Sequence, residues 1–333
     1  MLLCAMVTLL VHGCAPSQTR GLMQSLPDTL PAKTLIEDVP FFAQQAFYCG
    51  PAALAMTMKY YGVEVTQSAL ARAVYVPGLQ GSLQAEMLAA TRGQGLLAYV
   101  LAPDLQHLLA EIAAQHPVVV LQNLGVNWYL RWHYAVAIGY DLNTGELILH
   151  SGASRNYRLA LSVFERTWAR GDYWAFAPLP PDHMPHGNNA LRYLEAAAAL
   201  EETGHPRAAR EAYRAAAGHW PHNALIRMGL GNARYALDDA GGAARAFAIA
   251  TALAPDSAAA HNNLAISLSE LGCDRQALTA ARRAVAVDSD SNPDFRATLE
   301  EVRAATAAGP SPSHCPRLNG GDAAHPHIIR QYH

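Results

Sequence analysis

Cys49 and His133 are residues of this sequence whose types could do nucleophilic chemistry. A thiol sulfur can attack a carbonyl carbon, and an imidazole can take and return its proton. His133 lies far downstream of Cys49. A fold must therefore bring thiol and imidazole together.

The positioning elements can be read from periodicity. From Pro51 the chain reads as a helix: Pro51 suits a first turn, Leu54, Met58 and Tyr61 form an apolar stripe, and Gly62 suits the C-terminal cap. Cys49 then sits at or just before the helix N-terminus. Unpaired N–H groups and the positive end of the dipole are expected to lower its pKa and leave part of it as thiolate at neutral pH. Arg131–Asp141 alternates as a strand, with Tyr134, Val136, Ile138 and Tyr140 on one face and His133, Ala135, Ala137 and Gly139 on the other. The small residues on the histidine face leave room for another element or a substrate. Asp141–Gly145 reads as a turn and Glu146–His150 as the returning strand. Val118–Gln122 and Tyr173–Ala177 supply two more strands, and Leu105, Leu108, Leu109 and Ile112 an amphipathic helix.

Gln44, then Cys49-Gly-Pro-Ala-Ala-Leu, with His133-Tyr-Ala-Val-Ala-Ile-Gly-Tyr-Asp downstream, resembles the C39-like cysteine peptidases. The resemblance implies a papain-like α+β domain over residues 36–180. It also implies Cys49 as nucleophile, His133 as general base and acid, Gln44 in preference to Gln45 as oxyanion donor, and a peptide or protein substrate. The family completes its triad with an Asp at the end of the next strand. Here Leu147–Gly152 contains no acid, and Ser151 stands at that position. Asp141 lies in the turn at the far end of the strand, roughly 25 Å from His133. The partner that orients the imidazole stays unassigned between Ser151, a backbone carbonyl and water. A non-catalytic peptide-binding adaptor is therefore the second reading beside a working peptidase.

After a Pro-rich linker at 181–189 the chain repeats. Ala190–Asn223, Ala224–Ser257 and Ala258–Ser291 align without gaps as three blocks of 34 residues. Ala209, Ala243 and Ala277 coincide, as do Ala216, Ala250 and Ala284, and the aromatics Tyr213 and Phe247. This period resembles the tetratricopeptide repeat, which implies an all-α solenoid at 190–291 that recruits a protein partner. Residues 292–333 read as a terminal helix and a disordered tail, in which Cys315 is incidental, while Cys273 falls in a turn of the third repeat.

Hydrophobic residues make up 51% of the 333 and charged residues 15%, which excludes a mainly disordered chain. Lys+Arg 24 against Asp+Glu 27 gives a net charge of −3, so no basic field exists to hold nucleic acid. Residues 1–13 form an apolar run too short to span a bilayer, closing on Gly13-Cys14. This resembles a bacterial lipoprotein signal with Cys14 as the lipid attachment site; a plain signal peptide or a buried helix is the alternative. Residues 14–35 then read as a tether. The whole arrangement resembles peptidase-like lipoproteins that carry tetratricopeptide repeats. It implies a lipid-anchored protein of the bacterial cell envelope, at the outer membrane facing the periplasm, touching the membrane through the anchor only. His183 and His186, and His325 and His327, have near-metal spacing, but no specific metal site and no cofactor is expected.

Overall fold

The computed structural model describes residues 17–44, 47–126, 128–187, 189–289, 291–308 and 315. The chain forms two compact units that divide around residues 180–190.

The first unit contains α1 (Ser17–Gln24), β1 (Lys33–Leu35), α2 (Cys49–Tyr60), α3 (Gln67–Val74), β2 (Tyr75–Val76), β3 (Gly81–Ser82) and α4 (Gln84–Arg92). It continues with β4 (Leu97–Val100), α5 (Leu105–Ala113), β5 (Val118–Asn123), β6 (Trp132–Asp141), β7 (Glu146–Ser151), β8 (Ser154–Ala160), α6 (Leu161–Ala169) and β9 (Ala175–Leu179). An antiparallel sheet runs β4-β9-β5-β6-β7-β8, and β1 also pairs with β6. β5 is buried along its whole length, as its Val-Val-Val-Leu run requires. α2 is buried from Gly50 to Met58, and Gly62 ends it at φ +75°, a conformation that favours glycine.

Gly139, the last small residue of the β6 alternation, has a definite neighbour. β1 takes the edge that β5 leaves, pairing Leu35 with Gly139, and a Cβ on Gly139 would lie 2.6 Å from the Thr34 carbonyl oxygen. At Gly139, β1 thus comes too close for any side chain.

Of the expected tether over 14–35, residues 17–35 are described, and part of that stretch is docked on the domain. The buried carboxylate of Glu165 accepts hydrogen bonds from the Gln18 and Thr19 N–H groups at 3.0 and 2.7 Å, closing the N-terminus of α1. Gln18 in turn accepts from the Leu105 N–H at 2.6 Å and donates to the Pro103 carbonyl at 3.1 Å. Polar, Pro-punctuated sequence hid this docking because its partners come from distant segments. The linker at 181–189 is also tied down in part: the Gly187 N–H donates to buried Glu111, and the Tyr99 hydroxyl donates to the Gly187 carbonyl.

The second unit is helical: α7 (Ala190–Glu202), α8 (Pro206–His219), α9 (Ala224–Tyr235), α10 (Ala240–Leu253), α11 (Ala258–Glu270), α12 (Asp274–Val287) and α13 (Pro293–Ala308). The first six make three successive pairs on the 34-residue period. Ala209, Ala243 and Ala277 are fully buried, as are Ala216, Ala250 and Ala284, because helix axes approach there. Each ring of the aligned aromatic pair lies on a glycine. A Cβ on Gly229 would meet the Tyr213 ring at 2.4 Å, and one on Gly231 the Phe247 ring at 2.4 Å. Asn223, Asp239 and Ser257 cap the helices that follow them. Cys315 is not incidental: it forms a disulfide with Cys273, the buried N-cap residue of α12.

Candidate active site

β6 outruns its neighbour. Its last pairing with β7 on this side is Val136 with His150, while pairing with β5 continues to Trp132. Leu121, opposite Tyr134, sends its N–H to the Trp174 carbonyl on the far side. Because antiparallel residues alternate in the side they bond to, Tyr134 turns its own N–H and C=O toward the edge that β7 leaves bare.

Side chains of the predicted site take those backbone groups. Gln44 donates through Nε2 to the Tyr134 carbonyl at 3.3 Å, and its Oε1 accepts from the Gly152 N–H at 3.1 Å. The Gln44 N–H donates to the Gly152 carbonyl at 3.0 Å. Gln44 thus bridges β6 to the β7–β8 turn where ladder bonds are missing. The Cys49 sulfur lies against the backbone N–H groups of Tyr134, Gly50 and Cys49 itself, which favour the thiolate. Gly50 lets α2 approach β3, since a Cβ there would lie 2.5 Å from Ser82 Oγ. The Tyr134 hydroxyl donates to the Ser82 carbonyl at 3.2 Å and fixes the same contact.

His133 pairs through Nε2 with Ser151 Oγ at 2.9 Å. Asp141 stays at the other end of the strand, accepting from the Asn143 N–H and lying 3.8 Å from Lys33. Among the described residues no hydrogen bond joins Cys49 to His133; such bonds commonly tighten only when substrate is bound. Cys14, Gln45, His325 and His327 lie outside the described residues.

The charge state differs from the sequence expectation. Burial pushes the Cys49 thiol above its usual range, against the opposing backbone N–H groups. The helix terminus does not outweigh desolvation. Burial, with the Arg131 charge nearby, pushes His133 down to about 4. A serine supplies no negative charge to offset this, so the resting pair is a neutral thiol and a neutral imidazole. His150, buried beside it in sequence, is also lowered by burial; its Nε2 donates to the Val39 carbonyl and its Nδ1 accepts from the Asn156 N–H.

A stability test follows from the sign of these shifts. The unfolded chain protonates its histidines near pH 6.5, while native His133 stays neutral to about pH 4. Stability is therefore full above about pH 6.5 and falls as pH drops toward 4, by roughly 2–3 kcal/mol from His133. Urea unfolding read by tryptophan fluorescence at the two ends of this window should show the loss, and His133→Gln should reduce it.

Tyr48, immediately before Cys49, stacks on Tyr75 with ring centroids 5.0 Å apart. The two rings line a cavity of about 860 Å³ together with Gln67, Ser68, Ala71, Arg72 and Pro77. Nothing in the sequence pattern marked this cavity, because its walls come from α3 and the turn after it.

Residues 36–174 match the model of the Peptidase_C39 like family. They form a Peptidase C39-like domain. No curated protein matches the chain. Solved structures similar to it cover the helical region that follows. The first tetratricopeptide domain of Spaghetti (RPAP3) bound to an HSP90 peptide is 18% identical, over 36% of this chain and 94% of that one, with a TM-score of 0.34. The Sgt2 tetratricopeptide domain from Aspergillus fumigatus is 17% identical over 41% and 91%, also at 0.34. The Yersinia enterocolitica type III secretion chaperone SycD, in complex with a YopD peptide, is 15% identical over 35% and 93%, at 0.32. The C39-like domain is followed in the same chain by the helix pairs α7–α12, which repeat on the 34-residue period.

Proposed function

We propose that this chain is an exported, lipid-anchored cysteine peptidase whose repeats recruit a protein partner. The observation that carries the reading is the convergence of Gln44, Cys49, His133 and Ser151 on the uncovered edge of β6. As the Cys49 sulfur attacks the substrate carbonyl, its proton passes to His133. An amide carries two hydrogens, and Gln44 commits one to Tyr134, leaving the second for the developing oxyanion. His133 then gives its proton to the departing amine, and water hydrolyses the Cys49 thioester. The cavity lined by Tyr48, the residue before Cys49, and Tyr75 offers room for a peptide side chain.

Export is supported by the Cys273–Cys315 disulfide, since such bonds persist in oxidising compartments, and by the apolar run ending at Cys14. Attachment at Cys14 and an outer-membrane location facing the periplasm belong to this proposal. The repeat unit, with its stacked helix pairs, is the part suited to hold a protein partner.

The neutral thiol–imidazole pair favours the second reading, an adaptor that binds peptides without cutting them. Trapping separates the two. A short peptide ending in an aldehyde should add reversibly to Cys49 as a hemithioacetal, read by native mass spectrometry as a gain of its mass on the intact protein that Cys49→Ala abolishes. Gln44→Ala should weaken that adduct by about 100-fold or more, because the tetrahedral oxygen loses a donor. A thiol that forms no adduct, or one indifferent to Gln44, leaves the adaptor.

A further inference from the structure

Between β5 and β6 the chain makes a projecting hairpin of unusual composition. Trp128 is 88% exposed, Tyr129 70%, Leu130 56% and Trp132 51%, with Leu124 and Val126 also exposed. So many apolar side chains clustered on one projection mark a contact surface.

The hairpin is built rather than loose. Val126 and Tyr129 exchange two backbone hydrogen bonds of 3.0 Å, and the Leu124 N–H donates to the Arg131 carbonyl at 2.8 Å. Asn123 Oδ1 accepts from the N–H groups of Gly125 and Arg131, both at 3.0 Å. Arg170 grips the base, donating through Nε and Nη2 to the Asn123 carbonyl at 3.1 and 2.8 Å. A Cβ on Gly125 would lie 1.9 Å from the Tyr129 carbonyl oxygen, so only glycine permits this closure.

The hairpin is continuous with the site. Trp132 directly precedes His133 on β6, and its pairing with Asn123 lies next to that of His133 with Gln122. By the alternation that turns Tyr134 toward the bare edge, Trp132 turns its N–H and C=O the same way. An extended chain pairing there would run past Cys49, with the hairpin's apolar side chains beside it.

We infer that the hairpin is the specificity wall of the cleft and selects an extended peptide carrying aromatic or aliphatic side chains next to the reacting bond. This rests on the C39-like cleft being a peptide site, and it deepens that reading by naming the substrate class. Main-chain pairing at Trp132 supplies register, and Trp128, Tyr129 and Leu130 supply the choice of side chain. A bilayer is the other surface that attracts exposed Trp and Tyr. It is disfavoured because lipid cannot satisfy the N–H and C=O of an open strand edge, whereas a peptide can.

The test uses the full chain carrying Cys49→Ala, so that binding is read without cleavage. Short fluorescent peptides that differ at one guest position (Phe, Leu, Ser or Asp) are titrated by anisotropy, beside vesicles of mixed phosphatidylcholine and phosphatidylglycerol. Phe and Leu guests should bind about 30-fold more tightly than Ser and Asp, and Trp128→Ser with Tyr129→Ser should erase that preference. Both substituted positions are highly exposed, so the double variant should keep the parent's melting temperature. Gly125→Ala, which leaves the aromatics but breaks the closure, should erase the preference as well.

Equal binding of all guests, no binding of any, a preference that survives the double variant, or vesicle capture that the double variant abolishes would each overturn the inference. Failure of the peptidase reading looks different: guest preference stays intact while the unmutated enzyme leaves the same peptides uncut.

Discussion

Cys49→Ala should reduce peptide cleavage by at least about 10⁴-fold, to the level of the peptide without enzyme, because no other group can form the acyl intermediate. The only free cysteine among the described residues is Cys49, since Cys273 is tied to Cys315. His133→Ala should cost nearly as much, because a thiol whose pKa is raised by burial needs a base to release its proton. Combining the two substitutions should cost little more than either alone, since both remove one proton-coupled step. Gln44→Ala should cost about 100- to 1000-fold as an oxyanion donor. It also frees the Tyr134 carbonyl and the Gly152 N–H, so its melting temperature should be compared with that of the parent. The measurement is kcat/KM on one cleavable peptide for each variant. Full activity in the Cys49→Ala protein would end the catalytic assignment.

The same variants report the resting charge state. An imidazolium–thiolate pair would make iodoacetamide alkylation of Cys49 fast below pH 7 and dependent on His133. The neutral pair makes it slow there, rising only as alkaline pH ionises the buried thiol, with His133→Ala changing turnover far more than labelling. Sequence reasoning favoured the first outcome because the helix terminus and the histidine were legible, while the depth of burial was not.

What could be read in advance was local. The stripe beginning after Pro51, the cap at Gly62 and the alternation through His133 appear as α2 and β6, because each depends on side chains a few positions apart. The 34-residue period likewise gave helix pairs, since the same small residues recur wherever axes approach. The rest depended on distant partners. α1 is fixed by Glu165, the end of the repeat unit by a disulfide between residues 42 apart, and Gln44 by a turn at Gly152. Composition marks none of these pairings. Ser151 is the intermediate case: its position at the end of β7 is visible in the sequence, but its hydrogen bond requires the register that leaves β7 short of β6.

That hydrogen bond gives the second large effect. A hydroxyl can donate or accept, so Ser151 permits both neutral tautomers of His133. When Ser151 donates to Nε2, the ring proton sits on Nδ1, which then has no lone pair left to take the Cys49 proton. A carboxylate can only accept, which holds the proton on Nε2 and keeps Nδ1 as the base. It also places a negative charge beside an imidazole now pushed down to about 4. Ser151→Asp should therefore raise the His133 pKa by about 1–3 and, through the imidazolium, lower that of Cys49. Alkylation of Cys49 at about pH 6 should accelerate by roughly 10- to 100-fold, and the acid limb of the cleavage profile should move upward from about pH 4. Ser151→Ala tests orientation alone: the pH limb should stay in place while turnover falls by about tenfold, as for other outer-shell partners that orient an imidazole. If Ser151→Asp leaves both the labelling rate and the acid limb unchanged, Ser151 does not govern the imidazole. The 2.9 Å contact would then be structural, and His133 would be oriented by its burial in the sheet.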